Sequence, residues 1–297
     1  MTELISTVHH QEALGILFAI YIYLTGISAG SFILSSLIYV FGMTRFKDVG
    51  KISVVLATVV LLIAPLALLI HSGMPLRAWR LFYNINITSA ISFGMFLLTF
   101  YPINCIIYGF FIFTNNVKMS RIFGLIGIPF AVAVHGYCGF ILGCAKARHL
   151  WNSALMPILF LVSAIVSGIA VVIIIVYIKD RFISKEKKAK EELIFGLAQI
   201  MASFLLLDLF LVLSDVIILF FGTSEAIETG HLLLSGKFAV QFVIFENLLG
   251  KVLPVALIFS KRFRTVNRVI FASILVTAGI FMMRYVLIFA GEFFPLI

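Results

Sequence analysis

Eight mostly apolar stretches, at residues 13–41, 51–72, 90–113, 121–144, 155–178, 193–221, 238–260 and 267–291, constrain what this chain can become. Each reaches the roughly 20 residues a helix needs to cross the hydrocarbon core of a bilayer. With no water there, backbone N–H and C=O groups must be satisfied inside a helix or a closed barrel. The runs are continuous, not alternating, which excludes a barrel. The expected fold is an all-α polytopic membrane protein with eight transmembrane helices. The chain has 297 residues, 62% hydrophobic and 12% charged, with a net charge of +9. That charge invites a nucleic-acid reading, but the basic residues lie in short connections between spans, where topology accounts for them.

Those basic residues also set an orientation. The connections after spans 1, 3, 5 and 7 hold 15 Lys and Arg: Arg45, Lys47, Lys51, Lys118, Arg121, Lys179, Arg181, Lys185, Lys187, Lys188, Lys190, Lys261, Arg262, Arg264 and Arg268. The connections after spans 2, 4 and 6 hold 5: Arg77, Arg80, Lys146, Arg148 and Lys237. The bias puts the odd connections in the cytoplasm and both termini outside. Glu3 and Glu12 flank the first stretch and no basic segment precedes it, so it reads as a retained span. The polar linker 179–192 is read as dividing two four-helix sets, 1–178 and 193–297. Small-residue stretches recur in spans 1 and 5 (GISAGSFILSS, VSAIVSGIA), as a weak repeat would. Cys105, Cys138 and Cys144 form no CxxC, so neither an iron–sulfur cluster nor a disulfide framework is expected in this chain.

Five charges interrupt the apolar runs: Asp208, Asp215, Glu246, Lys251 and Arg284. At roughly 2.5–3.5 kcal/mol each at a helix centre, five unpaired would cost about 12–18 kcal/mol, as much as a domain's stability. They must pair with one another or line a wet cavity, and such clusters mark function. At about 1.5 Å per residue, Asp215, Arg284, Glu246, His135 and Tyr23 fall about 9–15 Å below the outer ends of their helices. His71 ends span 2 at the outer surface, so several spans deliver polar groups to one outer layer. Asp208 lies two turns from Asp215 on the same face. Glu246 and Lys251 are five residues apart, about 140° around an α-helix, so each is expected to pair on another helix. Arg284 stays protonated and must be compensated; Asp215 or Glu246, at similar depth, is expected within salt-bridge distance. Tyr21 and Tyr23 point to nearly opposite sides, so at most one joins the site. Trp79 and Trp151 read as interfacial anchors. Arg77, Arg80, Lys146 and Arg148 suit lipid headgroups or an acidic partner.

Gly26 and Gly30 form a GxxxG pair in YLTGISAGSFILSSL, and span 4 repeats the device with Gly136, Gly139 and Gly143 in GYCGFILG. The LxGxSAGSF pattern of span 1 is followed by APLALLIHSGMPLRAW, NINITSAISFG and LWNSALMPILFLVSAIVSGIA. In that order the sequence resembles the polysulfide reductase membrane-anchor family, also called NrfD-like proteins. The resemblance is strong over residues 14–172 and extends to 291 by helix count and charged positions.

It implies a quinone-reactive subunit without haem or iron–sulfur cluster, taking menaquinone ahead of ubiquinone near the outer face. Implied partners are a four-cluster ferredoxin-like iron–sulfur subunit and a molybdopterin catalytic subunit. Tyr23, Asp208, Asp215 and Arg284 match the family's functional Tyr, acidic and Arg positions. His71 stands where many relatives carry Asp or Glu. Tyr23, His71, His135 and Tyr137 are the expected headgroup residues, with Tyr23 and His71 accepting protons. Asp208, Asp215, Glu246 and Arg284 would tune the site or relay protons. The expected reaction is quinol oxidation, with polysulfide, thiosulfate or a similar acceptor reduced elsewhere. A proton-coupled transporter would also use buried acids and bases, but Pro65, Pro129, Pro157 and Pro254, which interrupt spans, do not sit among the five charges. A b-type cytochrome would need His71 and His135 as a pair, and their depths differ by about 14 Å.

Overall fold

The computed structural model describes residues 14–43, 46–73, 75–83, 85–86, 89–183, 188–260 and 265–294. Among these, eight helices are long and apolar enough to cross a membrane. They are α1 (Ile16–Val40), α2 (Lys47–His71), α3 (Ala90–Phe113), α4 (Val117–Gly143), α5 (Met156–Ile183), α6 (Lys188–Phe220), α8 (Val240–Phe259) and α9 (Val266–Gly291). No span boundary departs from the sequence expectation by more than five residues. Two further elements lie between spans and were not foreseen. One is a 3-10 helix, Pro75–Phe82, and the other is the short helix α7, Ser224–Leu234, capped by the Thr223 side chain. Both are too short to carry a transmembrane signal.

Helices α1 and α5 form the centre of the assembly. The most apolar windows of these two are 61% and 67% buried, against 33–50% for the other spans. Their crossing explains the recurring small residues. A Cβ on Gly168 would lie 2.6 Å from the Gly30 carbonyl carbon, and one on Gly30 would overlap the Ala164 carbonyl. In lipid, where apolar burial gives helices no mutual attraction, close backbone approach through small residues is what holds such pairs together. Gly139 meets the Met156–Pro157 backbone in the same way at the α4–α5 contact.

The expected two four-helix sets, separated at 179–192, do not describe the chain, because five spans precede that linker and three follow it. Helix α5, on the near side of the linker, packs on α1 and α4 and also on α6 and α9. Arg45, Lys185, Lys187, Lys261, Arg262 and Arg264, which contribute to the orientation argument, lie outside the described residues, as do the side chains of Lys188 and Lys190.

Helix α8 is not a plain α-helix. Residues Val240–Val252 wind as a π-helix and continue as α from Leu253 to Phe259. The Asn247 side-chain amide donates to the Phe242 carbonyl at 2.8 Å, feeding one carbonyl within that stretch. Gly250 packs against Gly279 of α9 so closely that a Cβ on Gly250 would lie 2.5 Å from the Gly279 Cα. A π-helical stretch is rare and frequently marks a functional position. Here it lies on the helix that carries Glu246 and Lys251.

Candidate functional site

Two groups of polar side chains lie in the half of the bundle where α1 begins and α2, α4, α6 and α9 end. The first is at the surface of that half. His71, the last residue of α2, is half-buried, and its ring lies 5.8 Å from Phe18 of α1. Phe18 is 5.9 Å from Tyr21 one turn on, and the Tyr21 hydroxyl accepts from the Cys138 thiol of α4 at 3.9 Å. Tyr137, the neighbour of Cys138, donates its hydroxyl to the Ala90 carbonyl at the start of α3 and packs on Gly94. Tyr137 also forms one wall of a groove of about 460 Å³ between α3 and α4, with Ser89, Phe93 and Gly136.

Tyr23 and His71 are therefore not brought together. Tyr23 points to α9, donating to the Thr277 carbonyl at 2.9 Å with its ring edge-on to Phe281. The half-turn between positions 21 and 23 sends Tyr21 toward α2 and α4 instead. The spacing Phe18–Tyr21, one helical turn ending opposite His71, was the available signal for this arrangement.

The second group is buried among α4, α5, α6, α8 and α9. Lys251 is fully enclosed and lies 2.8 Å from Asp208 Oδ2 of α6 and 3.1 Å from Glu246 Oε1 of its own helix. The Asp208 contact is a charge contact without the alignment of a directed hydrogen bond, whereas the Glu246 contact is a hydrogen bond. The expectation that Glu246 and Lys251 could not meet within one helix fails because the helix is π-wound: residues five apart are then about one turn apart.

Arg284 is 1% exposed, yet neither Asp215 nor Glu246 lies within salt-bridge distance of it, contrary to expectation. Lys251 engages Asp208 and Glu246 directly, and both acids act on Arg284 only at longer range. The guanidinium stacks 3.9 Å from the Phe160 ring. Its Nη2 approaches His135 Nε2 at 3.3 Å and the Phe160 carbonyl at 3.4 Å, and also donates to the Ser163 hydroxyl. Neutral acceptors and an aromatic face thus replace the expected carboxylate, with cation–π attraction strengthened by desolvation. Arg284 and Lys251 against Asp208 and Glu246 leave this buried set without net formal charge. Ser163 and Phe160 escaped the sequence reading because a serine and a phenylalanine in an apolar span carry no signal of their own.

Asp215 stands apart from the ion pairs. With Glu246 it lines a cavity of about 40 Å³ otherwise walled by apolar residues such as Val212, Phe242 and Met283. That volume is enough for a few waters. Asp208 and Asp215 share one face of α6, as their spacing requires, and both look toward α8. Trp79 is exposed, as an interfacial anchor would be. Trp151 is not: it is buried, its Nε1 donates to the Leu287 carbonyl at 2.7 Å, and its ring packs on Gly291. Arg148 likewise donates to the Phe294 carbonyl beyond the end of α9. Among the described residues no three His, Cys, Asp or Glu converge as metal ligands would.

The geometry is that of a multi-pass membrane protein with a titratable cluster at one face and a compensated charge network beneath it. Comparisons with known proteins place it further. The chain is 27% identical to one of the subunits of selenate reductase from Mesobacillus selenatarsenatis, over 95% of its own length and 74% of that protein's. It is 29% identical to the Hdr-like menaquinol oxidoreductase integral membrane subunit of Archaeoglobus fulgidus, covering 92% and 69%. To one of the polypeptides of polysulfide reductase from Wolinella succinogenes it is 25% identical over 93% of both sequences. The model of the polysulphide reductase NrfD family matches residues 7–295, and the chain belongs to that family.

Proposed function

We propose that this chain is the quinol-oxidising membrane subunit of a respiratory oxidoreductase. The observation that carries the reading is the relationship, over 92–93% of this chain, to subunits of menaquinol- and polysulfide-linked enzymes, on a fold that sets His71, Phe18 and Tyr21 together at one face. These residues suit a quinol: an imidazole at the mouth to accept a hydroxyl proton, aromatic rings to flank the headgroup, and phenol and thiol groups behind. The groove beside Tyr137 offers an apolar approach from the lipid.

In this reading the face bearing the α2–α3 and α4–α5 connections is the outer one, as the Lys and Arg bias requires. Oxidation of one quinol releases two electrons and two protons. His71 takes up one of these protons at the mouth, and the other passes to water at the same face. The electrons leave to an iron–sulfur partner docked on the same face, which passes them to a molybdopterin subunit. The buried network of Asp208, Glu246, Lys251 and Arg284 holds the electrostatics of the second half of the bundle, and Asp215 faces the small cavity. Tyr23 supports α9.

The test is purification of the assembled complex with assay of quinol oxidation by an artificial acceptor. An iron–sulfur and a molybdenum subunit are expected to co-purify, and His71→Ala is expected to slow oxidation by at least about tenfold, below the usual range for losing a positioned base. Wild-type rates in His71→Ala would refute the role of His71. Purification without any redox partner would refute the reading as a whole.

A further inference from the structure

His135 was a natural candidate for a quinone ligand, but its surroundings give it a different task. The ring is fully buried between α1, α5 and α9. It sits against Gly26, where a Cβ would lie 2.9 Å from the His135 Cε1, so the first glycine of the span-1 GxxxG pair makes room for this imidazole. Nδ1 lies 3.5 Å from the Thr25 hydroxyl oxygen, and that hydroxyl donates to the Ile22 carbonyl at 2.9 Å. Thr25 Oγ1 is thereby left as an acceptor toward the ring. On the other edge, Nε2 faces Arg284 Nη2 at 3.3 Å, and a guanidinium can only donate.

From these polarities we infer that His135 is a positioning residue for Arg284, held as the neutral Nδ1–H tautomer. Nδ1–H donates to Thr25 Oγ1, and Nε2 accepts from Arg284. The opposite tautomer would set an Nε2–H against the Arg284 N–H and leave Nδ1 without a donor, because the Thr25 hydroxyl is already given to the Ile22 carbonyl. A protonated ring would set two cations edge to edge. Both ring nitrogens are thus committed within the protein, and the imidazole touches no quinol. Its effect reaches the reaction through Arg284, whose charge balances the buried acids. This assignment rests on the proposed quinol chemistry for its kinetic consequence but not for its tautomer.

The experiment pairs two readouts on the assembled complex. Solid-state nitrogen NMR of histidine-labelled protein, with His135 assigned by comparison with His135→Gln, should show a neutral ring protonated at Nδ1. A ring protonated at Nε2, or at both nitrogens, overturns the inference whatever the complex turns out to oxidise. Kinetics with decylubiquinol test the role. In His135→Gln the amide oxygen reaches the Nε2 position and should keep kcat and KM close to wild type. His135→Leu removes one of the three groups that fix the position of Arg284 Nη2 and should lower kcat by about tenfold or more with KM little changed, the signature of an effect outside substrate binding. A raised KM in both variants with kcat kept would make His135 a quinol ligand after all. If the leucine variant fails to assemble, the glutamine rescue and the NMR result still decide.

Discussion

Replacing Lys251 with methionine is the sharpest probe of the buried network, because the lysine lies 2.8 Å from Asp208 and 3.1 Å from Glu246 and has no exposed surface. Methionine keeps most of the volume and removes the charge, leaving two carboxylates buried without their partner. Losing one member of a buried ion pair typically costs about 3–5 kcal/mol, mainly because the remaining charge is uncompensated. With two acids stranded, the loss should reach at least that range. Neutralising one acid as well (Glu246→Gln together with Lys251→Met) leaves Asp208 against Arg284 with no net formal charge and should recover part of the stability. The two outcomes separate a charge-compensation role from a simple packing role. The assay is thermal unfolding of the detergent-solubilised protein, followed by loss of the monodisperse peak on size-exclusion chromatography. As a control, His149→Ala breaks the 2.7 Å pair with Glu225, whose side chain is 75% exposed, and should cost no more than about 1 kcal/mol. If Lys251→Met costs as little as the control, or the double variant is no more stable than the single one, the network does not work by charge compensation.

Further outcomes follow from the packing. Gly30→Leu should abolish accumulation of folded protein, since even a Cβ there overlaps the Ala164 carbonyl. Gly136→Leu should be tolerated, because a Cβ at Gly136 meets no atom within 4 Å; immunoblots of membrane fractions distinguish them. Gly250→Ala should push α8 from Gly279 and disturb the π-wound stretch, lowering thermal stability more than Gly136→Ala does. Trp151→Phe keeps an aromatic ring but loses the bond to the Leu287 carbonyl, and should cost about 0.5–1.5 kcal/mol, the net worth of one such bond; equal unfolding temperatures would refute this.

The spans, their ends within five residues and the fact that charges lie inside them were legible from sequence. Lipid permits few backbone solutions, and a helix of fixed rise needs a fixed length of apolar chain to cross it. Sequence also showed that the charges needed compensation, and a polar layer at one end of the bundle. It did not show which groups would meet. Periodicity assumed an α-helix at Glu246 and Lys251, and the π winding that joins them has no local sequence signature. Arg284 was matched to carboxylates by depth alone, but rotation about each helix axis put His135, Ser163 and Phe160 around it. The same rotation, not residue type, turned Tyr21 toward the His71 side and Tyr23 toward α9. Depth and burial are properties of one helix in a bilayer, whereas partnership depends on the azimuths of several helices, set by where Gly30, Gly168, Gly250 and Gly279 let their backbones touch.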